Sequence, residues 1–131
     1  PGSCPNPLVV SKCGVVAVAI LGTDRFDVTQ IDRNSIRLLE VVQPVRSNVI
    51  DVAAPYRLFT WNASVTGVEA DFCTDEGPDG KPDLVLTFEK KDILKALGSV
   101  KAGDVLVVRL TARHKSGPRL VGQDVVVISK K

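Results

Sequence analysis

A chain of 131 residues with a formal charge of +2 has the size of one domain with one core, and it is too nearly neutral to point to a nucleic-acid partner. The composition is 44% hydrophobic, 24% charged and 5% aromatic, with Val prominent and no Met, which favours β-branched strands over helices. The longest apolar run, Val15 to Leu21, is only strand-length, so the sequence holds no membrane span, and no signal peptide is visible, as expected of a mature or excised form.

In chain order, Pro1-Gly2-Ser3-Cys4-Pro5-Asn6-Pro7 holds too many breakers for a regular element and reads as an extended or turning lead-in. The continuous apolar run Val15 to Leu21 predicts a central strand buried on both faces. Gly22-Thr23-Asp24 ends it, Asp27 to Asp32 reads as a single helical turn, and Ser35 to Glu40 as the next strand. Val49 to Val52 is a short strand entering a loop before Pro55. Tyr56 to Trp61 alternates, with Phe59 and Trp61 on one face and Tyr56 and Leu58 on the other.

Leu84, Leu86 and Phe88 share a strand face that belongs in the core. Asp92 to Gly98 has helical spacing, with Asp92 as cap and Gly98 as stop. Val105 to Arg113 and Leu120 to Ile128 flank the breaker-rich His114 to Arg119 and predict a closing β-hairpin. Recurring strands and turns give an all-β fold, an immunoglobulin-like β-sandwich with one short helix, as one domain over residues 1–131.

Acid is concentrated in one place. Between residues 71 and 83 stand Asp71, Asp75, Glu76, Asp79 and Asp83 against the single cation Lys81. A hard cation such as Ca2+ takes six to eight oxygens at roughly 2.3–2.6 Å, and a tight turn with oxygens at alternate positions wraps it. Counting Asp75 as position 1, Asp79 is position 5, Gly80 supplies the bend at position 6, the Lys81 carbonyl falls at position 7 and Asp83 at position 9. Position 3 is Gly77 and position 12 is Leu86, so the remaining ligands come from nearby or distant chain, with Asp71, Glu69 and Asp51 as candidates. A solvated acidic turn is the alternative, but crowded carboxylates repel unless something neutralises them.

The pieces Pro1 to Leu8, Val18 to Asp32, Asp51-Val52-Ala53, Glu76 to Gly80 with Asp83-Leu84, and Asp124 to Ile128 together resemble a module recurrent in secreted and surface-anchored proteins of bacteria and archaea. The resemblance covers nearly the whole chain and implies an extracellular all-β domain with a calcium-type acidic loop, without implying an activity. Such modules begin with an Ile-Asp-Ile-Lys strand that is absent before Pro1, so the first strand is expected to have been cut away or to come from another segment, and Cys13 stands where a Lys or Ser is expected. The resembling modules carry cysteines at the places of Cys4 and Cys73, which makes that pair the first choice for a disulfide. Cys4 with Cys13 is the second, three reduced thiols remain open, and three cysteines cannot all pair internally.

Other constellations carry less. The only His, His114, lies among Arg113, Lys115 and Arg119 in the hairpin turn, where a polyanion is one reading and ordinary hydration the other. Phe59 and Trp61, with Tyr56 near their edge, would stack a sugar if exposed, and a core role is the alternative. No nucleophile elbow, phosphate loop or metalloprotease motif occurs, and Asp79 with Asp83 as a glycosidase pair is the weakest reading, since a small acidic loop offers no evident cleft. The expectation is therefore a non-enzymatic, calcium-stabilised extracellular or cell-surface module, structural or adhesive. Its partners are other proteins or copies of itself joined through sheet edges, in a surface assembly or filament. A carbohydrate-binding module using the three aromatics is the alternative.

Overall fold

The computed structural model describes residues 6–11, 13–54 and 77–130. Alternate side chains such as Leu84, Leu86 and Phe88, or Leu110 and Ala112, turn to one side of their strand, and the chain buries those faces between two sheets. Strands β1 (Asn6–Val9), β3 (Ile31–Leu38), β6 (Val105–His114) and β7 (Arg119–Ser129) form a four-stranded sheet in the order β1-β7-β6-β3. Strands β2 (Val15–Ile20), β4 (Arg46–Ile50) and β5 (Asp83–Glu89) form a three-stranded sheet in the order β2-β5-β4. One helix, α1 (Lys90–Leu97), follows β5 among the described residues. The fold is all-β.

Strand β5 is the middle of the smaller sheet, and its Leu84, Leu86 and Phe88 are fully buried on one face, as the sequence predicts. They pack in one cluster with Leu8, Ile31, Ile36, Leu38, Leu110, Ala112 and Ile128 of the larger sheet. At about 25 cal/mol per Å² of apolar surface removed from water, this two-sided burial is the main term holding the sheets together.

The closing hairpin has the predicted form: β6 and β7 pair antiparallel from Val105↔Val127 to Arg113↔Arg119. The single helical turn is present as a 3₁₀ turn at Val28–Gln30, capped by the Asp27 carboxylate, which accepts the Thr29 N–H.

Four expectations need correction. Val15 to Leu21 is not a strand buried on both faces. Strand β2 pairs only with β5 among the described residues, turns Val16, Val18 and Ile20 to the core, and leaves Val15 51% exposed. β-branched residues serve an amphipathic edge as well as a centre, so the continuous apolar run misleads.

The lead-in is not wholly irregular, because Asn6–Val9 runs parallel to β7 as β1. Pro7 is tolerated there because β1 is the outermost described strand of its sheet, where one row of N–H groups needs no partner. The strand expected at Ser35 to Glu40 starts earlier, at Ile31, and stops at Leu38. Leu39 and Glu40 have φ of 53° and 68° and make a tight turn closed by the Val41 N–H to Leu38 carbonyl bond. Finally, Asp92 lies inside the first turn of α1. The N-cap is Glu89, which makes no side-chain capping bond, and Gly98 does stop the helix at φ 77°.

Candidate functional site

The acidic stretch meets the ends of β2 and β4 at one end of the three-stranded sheet. Asp83 opens β5 opposite Ile50 and one position before Leu84, which faces Ile20, so its side chain stands where three segments converge. It is 0% exposed. Its Oδ1 accepts the Gly22 N–H at 2.8 Å, and its Oδ2 accepts the N–H groups of Val52 at 2.8 Å and Ala53 at 3.2 Å. A buried carboxylate without donors would be very costly, whereas three charge-assisted bonds to otherwise orphaned amides offset its desolvation.

Gly22 fits this arrangement for a steric reason. A Cβ at that position would fall on the Pro82 carbonyl oxygen, so only glycine lets the loop after β2 approach closely enough to reach Asp83.

The same theme continues outward. The Asp51 carboxylate accepts the Asp79 N–H at 3.1 Å and the Gly80 N–H at 2.6 Å, while Asp79 Oδ1 accepts the Lys81 N–H at 3.0 Å. Gly80 bends with φ 87°, as expected of the residue at the turn. Lys81 reaches across to Asp24 at 3.4 Å, an exposed ion pair of small value.

Of the residues proposed as metal ligands, Asp51, Asp79 and Lys81 are linked through backbone N–H groups of the turn, whereas Asp83 holds the amides of Gly22, Val52 and Ala53. No group of three or more Asp, Glu, His or Cys side chains converges as a metal site among the described residues. Both oxygens of Asp83 and both of Asp51 hold N–H groups. Asp71, Asp75, Glu69 and Glu76 lie outside the described residues, as do the aromatics Tyr56, Phe59 and Trp61 and the cysteine pair Cys4 and Cys73. Cys13 carries a free, exposed thiol.

Sequence reasoning missed the Gly22, Val52 and Ala53 amides, because a backbone donor has no signature of its own. The signals present were indirect: a glycine ending an apolar run, and an acid opening the strand at Asp83.

His114 is half-buried in the β6–β7 turn, and its Nδ1 meets the N–H and hydroxyl of Ser116 at 3.1 and 2.7 Å. This contact closes the β6–β7 turn. No helix among the described residues is long and apolar enough to cross a membrane. No family model, curated protein or solved structure matches the chain.

Proposed function

We propose that the chain is a non-enzymatic structural or adhesive module of an extracellular or cell-surface protein, an immunoglobulin-like sandwich closed at one end by carboxylate-to-amide bonds. One observation carries this reading: Asp83, fully buried, spends its charge on three backbone N–H groups from two other segments. A catalytic acid or a ligand for a mobile substrate keeps an oxygen free, and Asp83 presents none to solvent.

The immunoglobulin-like part is supported by the division into four and three strands and by a first strand lying parallel to the last. Partners in this reading join through sheet edges, as other proteins or further copies of the chain.

Calcium is the part that rests on the sequence. Asp71 and Asp75, together with the Asp79 oxygen that takes no backbone bond, would supply the donors that Asp51 and Asp83 have committed elsewhere. Bound there, a cation would neutralise the loop and add to folding stability. The experiment is thermal unfolding in excess EDTA and in millimolar calcium, with Asp83→Ala beside the wild type. Calcium is expected to raise the wild-type melting temperature, and Asp83→Ala to lower it in both buffers. An unchanged wild-type value removes calcium, and an unaffected variant removes the closure on which the reading stands.

A further inference from the structure

The outer surface of the four-stranded sheet carries a charge pattern that folding does not account for. The ladder sets Arg109 opposite Gln123, Thr111 opposite both Val121 and Arg37, and Arg113 opposite both Arg119 and Asp32. Residues directly opposite share a face, and so do residues two apart on one strand. Leu110 and Ala112 are buried in the core, so Arg37, Arg109, Arg113 and Arg119 surround Thr111 and Val121 on the side away from it. Four residues of strand, about 13 Å, separate Arg109 from Arg113, and each neighbouring strand lies about 4.8 Å away.

These cations have little to do inside the molecule. Arg113 and Arg119 face each other directly, and like charges so placed are destabilising. Arg109 and Arg119 make no side-chain hydrogen bond or ion pair with any described residue. Arg113 reaches only the Gly117 carbonyl, at 3.5 Å, and Arg37 the carbonyls of Asn34 and Ile36. Asp32 is the one acid on this face among the described residues, and its carboxylate accepts the Asn34 N–H instead. A row of guanidinium groups maintained against its own repulsion is arranged for something outside.

We propose that this face binds a linear acidic polysaccharide, its carboxylate or sulfate groups met in turn by the arginines as the chain runs along β6 and β7. Arginine forks match planar and tetrahedral oxyanions, and groups spread over the sheet suit repeated charge on a polymer better than one small ion. The residues between them are Thr111, Val121 and Gln123, so no aromatic stands there to stack bases and no long apolar anchor to enter a lipid headgroup layer. A flat sheet face also offers nothing to enter a duplex groove. This surface is separate from Asp83 and its three N–H partners, so its failure leaves the closure at Asp83 untouched.

The test is calorimetry on the full chain with heparin and polygalacturonate at low and high salt, beside phosphatidylglycerol vesicles and a duplex oligonucleotide. Salt-sensitive binding to at least one polysaccharide is expected, weakened about tenfold by Arg109→Gln with Arg119→Gln. Neither arginine side chain has a described partner, and Gln leaves the backbone ladder intact, so the fold is retained. Lys91→Gln with Lys95→Gln removes the same charge from α1 and is expected to change nothing. No binding at low salt, equal weakening by the two pairs of substitutions, or stronger binding to vesicles or duplex overturns the proposal.

Discussion

Like charge is crowded in two regions of this molecule, and the two are treated oppositely. At the acidic end, Asp51, Asp79 and Asp83 have their negative charge answered by backbone N–H groups of Gly22, Val52, Ala53, Asp79, Gly80 and Lys81. On the outer face of β6 and β7, the side chains of Arg109 and Arg119 make no hydrogen bond or ion pair with a described residue. The difference teaches how to read crowded charge: where the chain folds its own donors onto it, the charge holds the fold together, and where it does not, the charge is directed outward.

The comparison is broken most directly at Asp83. Replacing it with Ala orphans three N–H groups, two of them buried, and is expected to cost about 3–5 kcal/mol in urea unfolding. A loss below about 1 kcal/mol would mean that the carboxylate is incidental and that the acidic end is no better organised than the arginine face. Gly22→Ala follows, because the new methyl meets backbone rather than a side chain that can swing away. A loss of about 1–3 kcal/mol or more is expected, and hydrogen exchange at Val52 and Ala53 should accelerate with it, since displacing the Gly22 loop loosens the shared acceptor.

How much of this was legible from sequence varies with the physics. Leu84, Leu86 and Phe88, the β6–β7 hairpin and the Gly98 helix stop could be read directly, because alternation and breakers act locally. The outer placement of Val15 to Ile20 beside β5 could not, because strand order depends on partners distant in sequence, and an edge strand can be as rich in Val as a buried one. The irregularity in β3, where residues 33 to 36 face the single Ala112, was equally hidden. It depends on Ser35, whose hydroxyl donates to the Asp32 carbonyl and accepts the Arg113 N–H, a long-range bond that no local pattern announces. At the candidate site, the acids Asp51, Asp79 and Asp83 were legible as a concentration of charge, but not the backbone N–H groups they hold, because a backbone donor leaves no mark in the sequence.

Asp51 sharpens the comparison at its weaker margin. It is half-buried and holds two N–H groups of the loop, so Asp51→Ala is expected to lose about 1 kcal/mol, less than Asp83→Ala. Repeating the measurement in EDTA and in millimolar calcium separates two roles. If Asp51 is only an amide acceptor, the loss is the same in both buffers, and a larger loss in calcium gives it a share in holding the ion. On the opposite side, Arg119→Thr removes the repulsion across from Arg113 and adds a β-branched residue, so a gain of a few tenths of a kcal/mol is expected. A loss there would mean that Arg119 is answered within the molecule after all.

The smallest effect concerns two carboxylates whose protonation runs in opposite directions. The Thr29 hydroxyl, and after it the Thr29 N–H, hold the Asp27 carboxyl below its ordinary value of 3.8. Its contribution to stability is therefore complete above that value and is lost as pH falls through the lower folded one. Desolvation pushes the Asp124 carboxyl up, against opposing bonds from the Val125 N–H and Asn6, although the residue as a whole is exposed on β7. Its contribution is present below 3.8 and is lost as pH rises through the raised folded value. Melting temperature against pH should thus lose part of its acid-limb slope in Asp27→Asn, whereas Asp124→Asn should gain at neutral pH and not at pH 3. If Asp124→Asn instead falls at neutral pH, its bonds to Asn6 and Val125 outweigh the cost of keeping it charged. Asp124 would then belong with Asp83 among the acids answered from within.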